Sequence, residues 1–377
     1  MRKIILTGGG TAGHVTPNLA LVPYLRKEDF EIFYIGSENG IEKELIKPTG
    51  IPYYEISTGK LRRSKYFSKQ NIQDMKKVWK GVKQAKAIMK KLKPDIVFSK
   101  GGYVAVPVVL AAKACRVPVV IHESDITPGL ANKISAPSAK VICTTFYETL
   151  EFIDSDRCVH TGTPLRRQLF RGIKQRGLLM CKFNDRKPIL MVMGGSQGSE
   201  KINKVLVLTL FDLLDTFQIV HICGKGNERE ELNSMKGYFQ IPYVNDGLEN
   251  LFAMADLVVS RAGSNSICEL LALKKPNLLI PLSAEVSRGD QILNAASFEE
   301  QGFSVVLQEE DLIAPHFVDK VMEVYENRNN YIQNMRRSDL EKGSEKVMEQ
   351  IMRFCKTPQD SPGTAKVEGQ QSNEEVD

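Results

Sequence analysis

Four glycines and one histidine between residues 8 and 14 hold the densest chemistry in this chain. The run Gly8-Gly9-Gly10-Thr11-Ala12-Gly13-His14 follows the apolar stretch 3–7 and precedes a helical pattern opening at Thr16-Pro17. Glycines let the backbone turn sharply and lie against a ligand, because no Cβ intervenes. A helix N-terminus adds unpaired amide N–H groups and partial positive charge, which suit an anion. His14 closes the turn with a group that titrates near neutral pH, within reach of a proton on whatever the turn binds. The chemistry on offer is phosphate or sugar binding beside a base.

Two further glycine turns follow strand-like segments, Lys100-Gly101-Gly102-Tyr103 and Gly194-Gly195-Ser196-Gln197-Gly198. Any one of them can be an ordinary strand-to-helix turn; three together predict a cleft lined by backbone N–H groups. His122-Glu123-Ser124-Asp125 ends another strand, either as a structural hydrogen-bonded pair or as a set of sugar-hydroxyl ligands. In Thr161-Gly162-Thr163-Pro164-Leu165-Arg166 the guanidinium suits an anion, although an exposed hinge charge would read the same way. The segment from Ser260 through Gly263 and Ser264 to Glu269 puts small residues at a helix start, fit for a diphosphate. Glu269, further along that helix, can accept both hydroxyls of a ribose. Asp154-Ser155-Asp156 imitates a metal-holding pattern but falls in a helix-to-strand connection, and no His/Cys cluster accompanies it, so no metal is expected.

Gly8-x-Gly10-x-x-Gly13 also satisfies the dinucleotide fingerprint. That reading needs an acid closing the second strand, and Gly36-Ser37-Glu38 offers only Glu38, past a glycine. A nicotinamide cofactor therefore remains an alternative that leaves the other glycine turns unexplained.

These groups require a scaffold that delivers strand ends to one place. Strand signals near 3–7, 31–35, 95–98, 118–121, 139–143 and 157–160 alternate with helical stretches. A second series follows near 188–193, 218–222, 240–244, 256–259, 277–280 and 303–307. This alternation predicts an α/β chain with parallel sheets. KIILTGGGTAG and PILMVMGGSQG open the two halves alike. Two Rossmann-like domains facing across a cleft are expected, with the site at the carboxyl ends of both sheets. The boundaries read as 1–163 for the first domain and 164–340 for the second. A C-terminal helix over 341–356 is expected to return to the first domain, ahead of a disordered tail over 357–377.

At 377 residues, 42% hydrophobic and 25% charged, the composition is that of a soluble globular enzyme. No run reaches the roughly 20 apolar residues of a spanning helix. Met1-Arg2-Lys3 leads straight into a strand, which argues against a cleavable leader, and seven scattered cysteines read as reduced thiols. Charge is concentrated. Residues 60–93 hold thirteen Lys or Arg, among them Lys60, Arg62 and Arg63, against the single acid Asp74, whereas the whole chain carries +6. Tyr66 and Phe67 lie amid these cations, and Ile72, Met75 and Trp79 begin a long helical apolar stripe. The combination suits an anionic membrane surface. Nucleic acid would match the charge, but no recognised binding module accompanies it, so no nucleic-acid partner is expected.

Taken in order, the motifs at 8–17, 100–103, 122–123, 161–166, 194–198 and 260–263 resemble the bacterial lipid II-forming N-acetylglucosaminyltransferases, glycosyltransferase family 28, over residues 1 to about 355. The resemblance implies a GT-B fold and an inverting, metal-independent enzyme without a cofactor. It implies transfer of N-acetylglucosamine from UDP-N-acetylglucosamine to undecaprenyl-pyrophosphoryl-N-acetylmuramyl pentapeptide (lipid I) in peptidoglycan synthesis. It further implies peripheral attachment at the cytoplasmic face of the cell membrane, with cell-wall synthesis proteins as candidate partners. On matching positions, Thr11, Ala12 and Gly13 would line the donor sugar and diphosphate. Asp125, Arg166 and Ser196 would contact sugar or phosphate, Val244 would flank the uracil, Glu269 would take the ribose, and Gln291 would read sugar hydroxyls. Gly102 and Tyr103 would face the acceptor. His14 is the expected base, with His122 as its understudy. The chain departs from the family at Ser124-Asp125, where Gln-Asn is usual, at Thr163, where Asn is usual, and at Asp290, where some members carry Gln or His. An epimerase of UDP-N-acetylglucosamine and a non-catalytic nucleotide-sugar sensor are the remaining alternatives.

Overall fold

The computed structural model describes residues 1–60, 69–153, 156–195, 198–244, 246–285 and 287–355. Seven strands build the first sheet: β1 Arg2–Thr7, β2 Phe30–Ser37, β3 Tyr53–Ile56, β4 Ile96–Ser99, β5 Val119–Glu123, β6 Val141–Thr144 and β7 Cys158–His160. Their order is β3-β2-β1-β4-β5-β6-β7, and every pairing is parallel. Six more make the second sheet: β8 Ile189–Met193, β9 Gln218–Ile222, β10 Tyr238–Ile241, β11 Leu257–Ser260, β12 Asn277–Leu279 and β13 Val305–Val306. Their order is β10-β9-β8-β11-β12-β13, again all parallel.

Both sheets are covered by helices on both faces, which explains the near-continuous apolar strands. In β1, Ile4 and Leu6 pack into one cluster with the helix Thr16–Lys27, while Ile5 packs on the opposite face beneath the helix Lys69–Leu92. β8 divides the same way, Ile189 and Met191 to one side, Leu190 and Val192 to the other. This is the two-residue period of a pleated strand.

Strand order reverses between β1 and β4 in one sheet and between β8 and β11 in the other. Loops leaving a sheet on either side of such a reversal splay apart and open a crevice. The glycine turns after β1, β4 and β8, and the small-residue segment after β11, therefore stand at the two switch points.

Two expectations need correction. β3, the edge strand YYEI, gave no strand signal because it is short and carries the exposed Glu55. The strand expected at 240–244 runs instead over Tyr238–Ile241, leaving Val244 in the loop beyond it.

The chain passes between the lobes twice, side by side. Gly343 packs on the Thr163 carbonyl so closely that a Cβ there would collide with it, and Leu165 N–H donates to Ser344 Oγ at 3.2 Å. The helix Gly343–Phe354 then lays Val347, Met348 and Ile351 into the first lobe's core beside Ile4 and Leu21. Residues of the first lobe in turn reach the second lobe's core, where Phe146 meets Phe298 edge-on at 6.1 Å between ring centroids. The tail from residue 357 lies outside the described residues.

Candidate active site

A crevice of about 1170 Å³ runs between the lobes at the carboxyl ends of both sheets. Its first-lobe wall is Thr11, Ala12, Gly13 and His14 with Ser124 and Asp125; its second-lobe wall includes Val244, Gly263, Ser264, Asn265 and Glu269, and Arg166 joins from the crossover. The walls touch where Asn265 Nδ2 donates to the Gly13 carbonyl at 2.8 Å.

The helix Ser264–Ala272 starts on this crevice with no side-chain cap, and a Cβ placed on Gly263 would meet only open space. Its first N–H groups are left for an anion. On the opposite wall, Ala12–His14 form a short 3-10 turn closed by His14 N–H and Val15 N–H to the Thr11 and Ala12 carbonyls.

His14 Nδ1 lies 2.9 Å from Thr11 Oγ1, and the Gly9 carbonyl also holds a hydrogen bond to the ring. A neutral imidazole carries one N–H and one lone pair, so the ring can hold a contact on its own turn and still accept a proton. Burial, then the charges of Lys100 and Arg288, hold the His14 pKa down at about 4. At neutral pH the imidazole is unprotonated. Gly102, at φ +77°, flanks the ring; a Cβ there would overlap the Gly9 carbonyl oxygen and stand 3.2 Å from His14 Nδ1. Tyr103 packs its ring on Gly10, so a side chain at either glycine would break the turn.

His122 stands elsewhere. It is fully buried, its Nε2 is 2.8 Å from the Gly162 carbonyl, and its Nδ1 is 2.8 Å from Lys100 Nζ. With both nitrogens engaged and burial driving its pKa well down, it does not line the crevice and forms a buried link between Lys100 and the crossover. Glu123 is likewise internal. Its oxygens accept from the N–H groups of Ser124, Asp125 and Gly129 and from Asn132 Nδ2, which shapes the loop carrying Asp125.

Asp125 accepts from Asn294 Nδ2 at 3.0 Å and lies 3.7 Å from Arg288 Nη2. Burial and the neighbouring Glu123 raise its pKa to about 6. Arg288 also pairs with Asp290, which accepts from Thr127 Oγ1 at 2.8 Å. The two acids that depart from the family pattern thus share one guanidinium across the lobes.

Arg166 and Glu269 form a bidentate pair, with Nε–Oε1 at 2.9 Å and Nη2–Oε2 at 3.0 Å. Gln291 is not on the crevice wall: its Oε1 accepts Leu282 N–H at 3.0 Å, and only its amide NH₂ remains to give. Ser196, with Gln197, lies outside the described residues, as do Arg62, Arg63, Tyr66, Phe67 and Asp154-Ser155.

Several organising residues were missed in the sequence. Glu42 is fully buried and accepts from Gly10 N–H at 3.2 Å, Ser37 N–H at 3.0 Å and Ser37 Oγ, pinning the first glycine turn. Glu38, the acid considered for a dinucleotide ribose, is exposed. Arg261 ties Ser199 Oγ, at 2.7 Å, to Glu309 and to the Ile280 and Pro281 carbonyls, bracing the loops after β8, β11 and β12. Lys100, Arg288, Asn265 and Asn294 were also not singled out as individual site residues. Lys100 and Asn265 fall within motifs already noted, but the roles of all four exist only once distant segments meet.

The helix Lys69–Leu92 buries Ala85, Met89 and Leu92 against the first sheet, and Val78 is buried as well. Ile72, Met75 and Trp79 are exposed by 53, 46 and 60%, among the exposed Lys76, Lys77, Lys80 and Lys83. The apolar stripe read along this helix is therefore two faces, one packed and one bare. Lys60 is exposed just before the segment outside the described residues. Among the described residues, no helix is long and apolar enough to cross a membrane.

The chain matches the sequence models of the glycosyltransferase family 28 N-terminal domain over residues 4–144 and C-terminal domain over residues 189–351. It is 56% identical over 356 residues to the UDP-N-acetylglucosamine--N-acetylmuramyl-(pentapeptide) pyrophosphoryl-undecaprenol N-acetylglucosamine transferase of Clostridium botulinum strain Langeland, covering 94% of this chain and 100% of that protein. To the protein of the same description from Lachnospira eligens it is 54% identical over 351 residues, covering 93 and 99%. Among solved structures, Acinetobacter baumannii MurG superposes with a TM-score of 0.71 at 24% identity, covering 94% of this chain and 100% of that one. The calicheamicin glycosyltransferase CalG4 superposes with a TM-score of 0.68 at 14% identity, covering 94 and 98%. Both likenesses concern the fold.

Proposed function

The chain belongs to glycosyltransferase family 28, and on that premise we propose that it transfers N-acetylglucosamine from UDP-N-acetylglucosamine to the C4 hydroxyl of undecaprenyl-pyrophosphoryl-N-acetylmuramyl pentapeptide. One observation carries the reading at the level of the site. The uncapped N-terminus of Ser264–Ala272 and the turn presenting His14 share one crevice, joined through Asn265 and Gly13.

The acceptor oxygen attacks the anomeric carbon from the face opposite the diphosphate. The bond from that carbon to the diphosphate oxygen breaks, and its electron pair leaves with UDP. The hydroxyl proton passes to the His14 imidazole, and the sugar inverts. Charge builds on the departing diphosphate, where the helix N-terminus and the Arg166 guanidinium stabilise it. Glu269 keeps lone pairs beyond those Arg166 uses, so it can accept ribose hydroxyls while the ion pair holds its orientation. Val244 and the half-exposed Tyr243 offer flat apolar surface for a base.

The reading extends to organisation and location. The first lobe, 1–163, receives the acceptor; the second, 164–340, holds the nucleotide sugar. The bare face of Ile72, Met75 and Trp79 within its lysines rests on the anionic cytoplasmic face of the membrane. Tyr103 packs on Gly10 of the catalytic turn, where an acceptor entering along the first lobe would arrive beside His14.

Radiolabelled UDP-N-acetylglucosamine incubated with lipid I or a short-chain analogue, with and without EDTA, tests this. Disaccharide product in both arms is expected. An epimerised sugar formed without acceptor, or UDP-sugar binding with no turnover, would overturn it.

A further inference from the structure

Lys100 is a buried cation that the transfer mechanism above does not use. Its side chain is 1% exposed, yet it carries an ammonium group immediately behind the crevice wall. Nζ reaches His122 Nδ1 at 2.8 Å and Ser124 Oγ, the residue before Asp125. Through the His122 ring the chain of hydrogen bonds continues to the Gly162 carbonyl at the crossover. Its backbone N–H bonds the Thr7 carbonyl at 2.9 Å, which fixes Lys100 to the end of β1 where the first glycine turn begins.

We propose that Lys100 is a positioning residue for the transfer: its ammonium tethers the Ser124–Asp125 loop to the crevice wall and sets a fixed positive charge behind His14. The physical argument is one of compensation. A buried ammonium is costly unless paired and hydrogen-bonded. Here Glu123 and Asp125 supply the opposing charge, Cys143 and Cys268 are further neighbours, and His122 and Ser124 supply the acceptors. Burial nevertheless draws the Lys100 pKa down to about 8, so the group stays protonated at neutral pH.

The consequence falls on His14, which adjoins Lys100 across the first glycine turn: a Cβ placed on Gly8 would stand 2.5 Å from the His14 carbonyl oxygen and 3.2 Å from Lys100 Cβ. The groups acting on its ring are Thr11 and the Gly9 carbonyl on its own turn, Lys100 behind β4, and Arg288 ahead of the helix Asp290–Glu300; Asp125 lines the same crevice. Burial is the main force that keeps the ring unprotonated, and the two cations add to it, so its lone pair is available before the donor binds. Removing the Lys100 charge releases that constraint.

The proposal rests on His14 as proton acceptor, but its first readout needs no turnover. With only five histidines in the chain, an NMR titration assigns His14 by comparison with His14→Gln. In Lys100→Met and Lys100→Gln the His14 titration should move up by roughly one unit, and the acid limb of kcat/KM should move with it. In Ser124→Ala, which keeps the charge and loses the tether, the titration should stay in place while KM rises about three- to tenfold. Folded neutral variants with an unmoved His14 titration would overturn the charge role. A wild-type KM in Ser124→Ala would overturn the tether even if the neutral variants do not fold, and Lys100→Arg, which keeps the charge, should then leave the His14 titration in place; a His14 titration that moves with the charge retained would overturn the charge role. A product assay that fails while the titration shifts as stated would count against the transfer reading and leave this one standing.

Discussion

Arg166 and Glu269, 103 residues apart, meet in a two-pronged ion pair at 2.9 and 3.0 Å on the wall of the interlobe crevice. The parallel contacts lock the carboxylate plane as a single lysine could not. The guanidinium comes from the crossover and the carboxylate from the second lobe, so the pair couples the residue proposed to hold the ribose to the hinge.

Glu269→Ala should therefore weaken UDP binding by about 1.5–3 kcal/mol, the range for hydrogen bonds to a charged group, with a smaller effect on kcat. Calorimetry with UDP checks this. An unchanged Kd would remove Glu269 from the ribose.

His14→Ala should lower kcat by roughly 10²–10⁴ and leave UDP affinity unchanged. The pH profiles carry a second expectation. In the free protein His14 has a pKa near 4; a bound diphosphate brings negative charge into the crevice and raises it. The acid limb of kcat, which reports the complex, should then lie at higher pH than that of kcat/KM. Coincident limbs would place the base elsewhere.

Folding stability should fall on the acid side. His14 and His221 are lowered from 6.5 to about 4 by burial, and His122 lies well below its usual value. Protons thus bind the unfolded chain more readily, so the contribution of these groups is complete above about pH 6.5 and is lost as pH falls towards 4. Asp125, raised from 3.8 to about 6, acts in the opposite sense over part of that window, but three histidines outweigh one acid. Urea unfolding at pH 7, 5.5 and 4.5 measures the slope, and a flat profile would contradict the assignment.

Gly102→Ala and Gly50→Ala separate backbone strain from collision. Both residues have left-handed φ, +77° and +71°, but a Cβ at Gly50 meets nothing within 4 Å while one at Gly102 strikes the Gly9 carbonyl beside His14. Gly50→Ala should cost about 1 kcal/mol with turnover intact. Gly102→Ala should cost more and reduce kcat; equal effects on both would refute the role given to Gly102.

Replacing Ile72, Met75 and Trp79 together by serine should release the protein from anionic vesicles without altering UDP affinity. Wild-type binding to those vesicles should weaken as salt is raised, because the surrounding lysines act through screened charge. Sedimentation with phosphatidylglycerol vesicles reads both effects, and salt-independent binding by the triple variant would reject this face as the anchor.

Much of the scaffold was legible along the chain. Apolar runs of strand length, several of them followed by glycines, announce parallel strands whose carboxyl ends carry loops, and His14, Asp125, Arg166 and Glu269 all belong to the segments that leave those ends. Edge strand β3 escaped because an edge needs neither a continuous apolar run nor two buried faces. The two readings left open for His122, structural hydrogen bonding or sugar binding, could not be separated along the chain, because a histidine facing a cleft and one sealed under a sheet look alike in one dimension.

Local patterns thus carry the fold type and the loops that bear the chemistry, because periodicity and glycine placement are properties of neighbouring residues. Charge placement is another matter. Whether Glu42 pins a turn, Lys100 stands behind His14, or Arg288 is shared by Asp125 and Asp290 depends on desolvation and on partners brought from segments far away in sequence. Packing alone sets those distances, and with them the protonation state of the base.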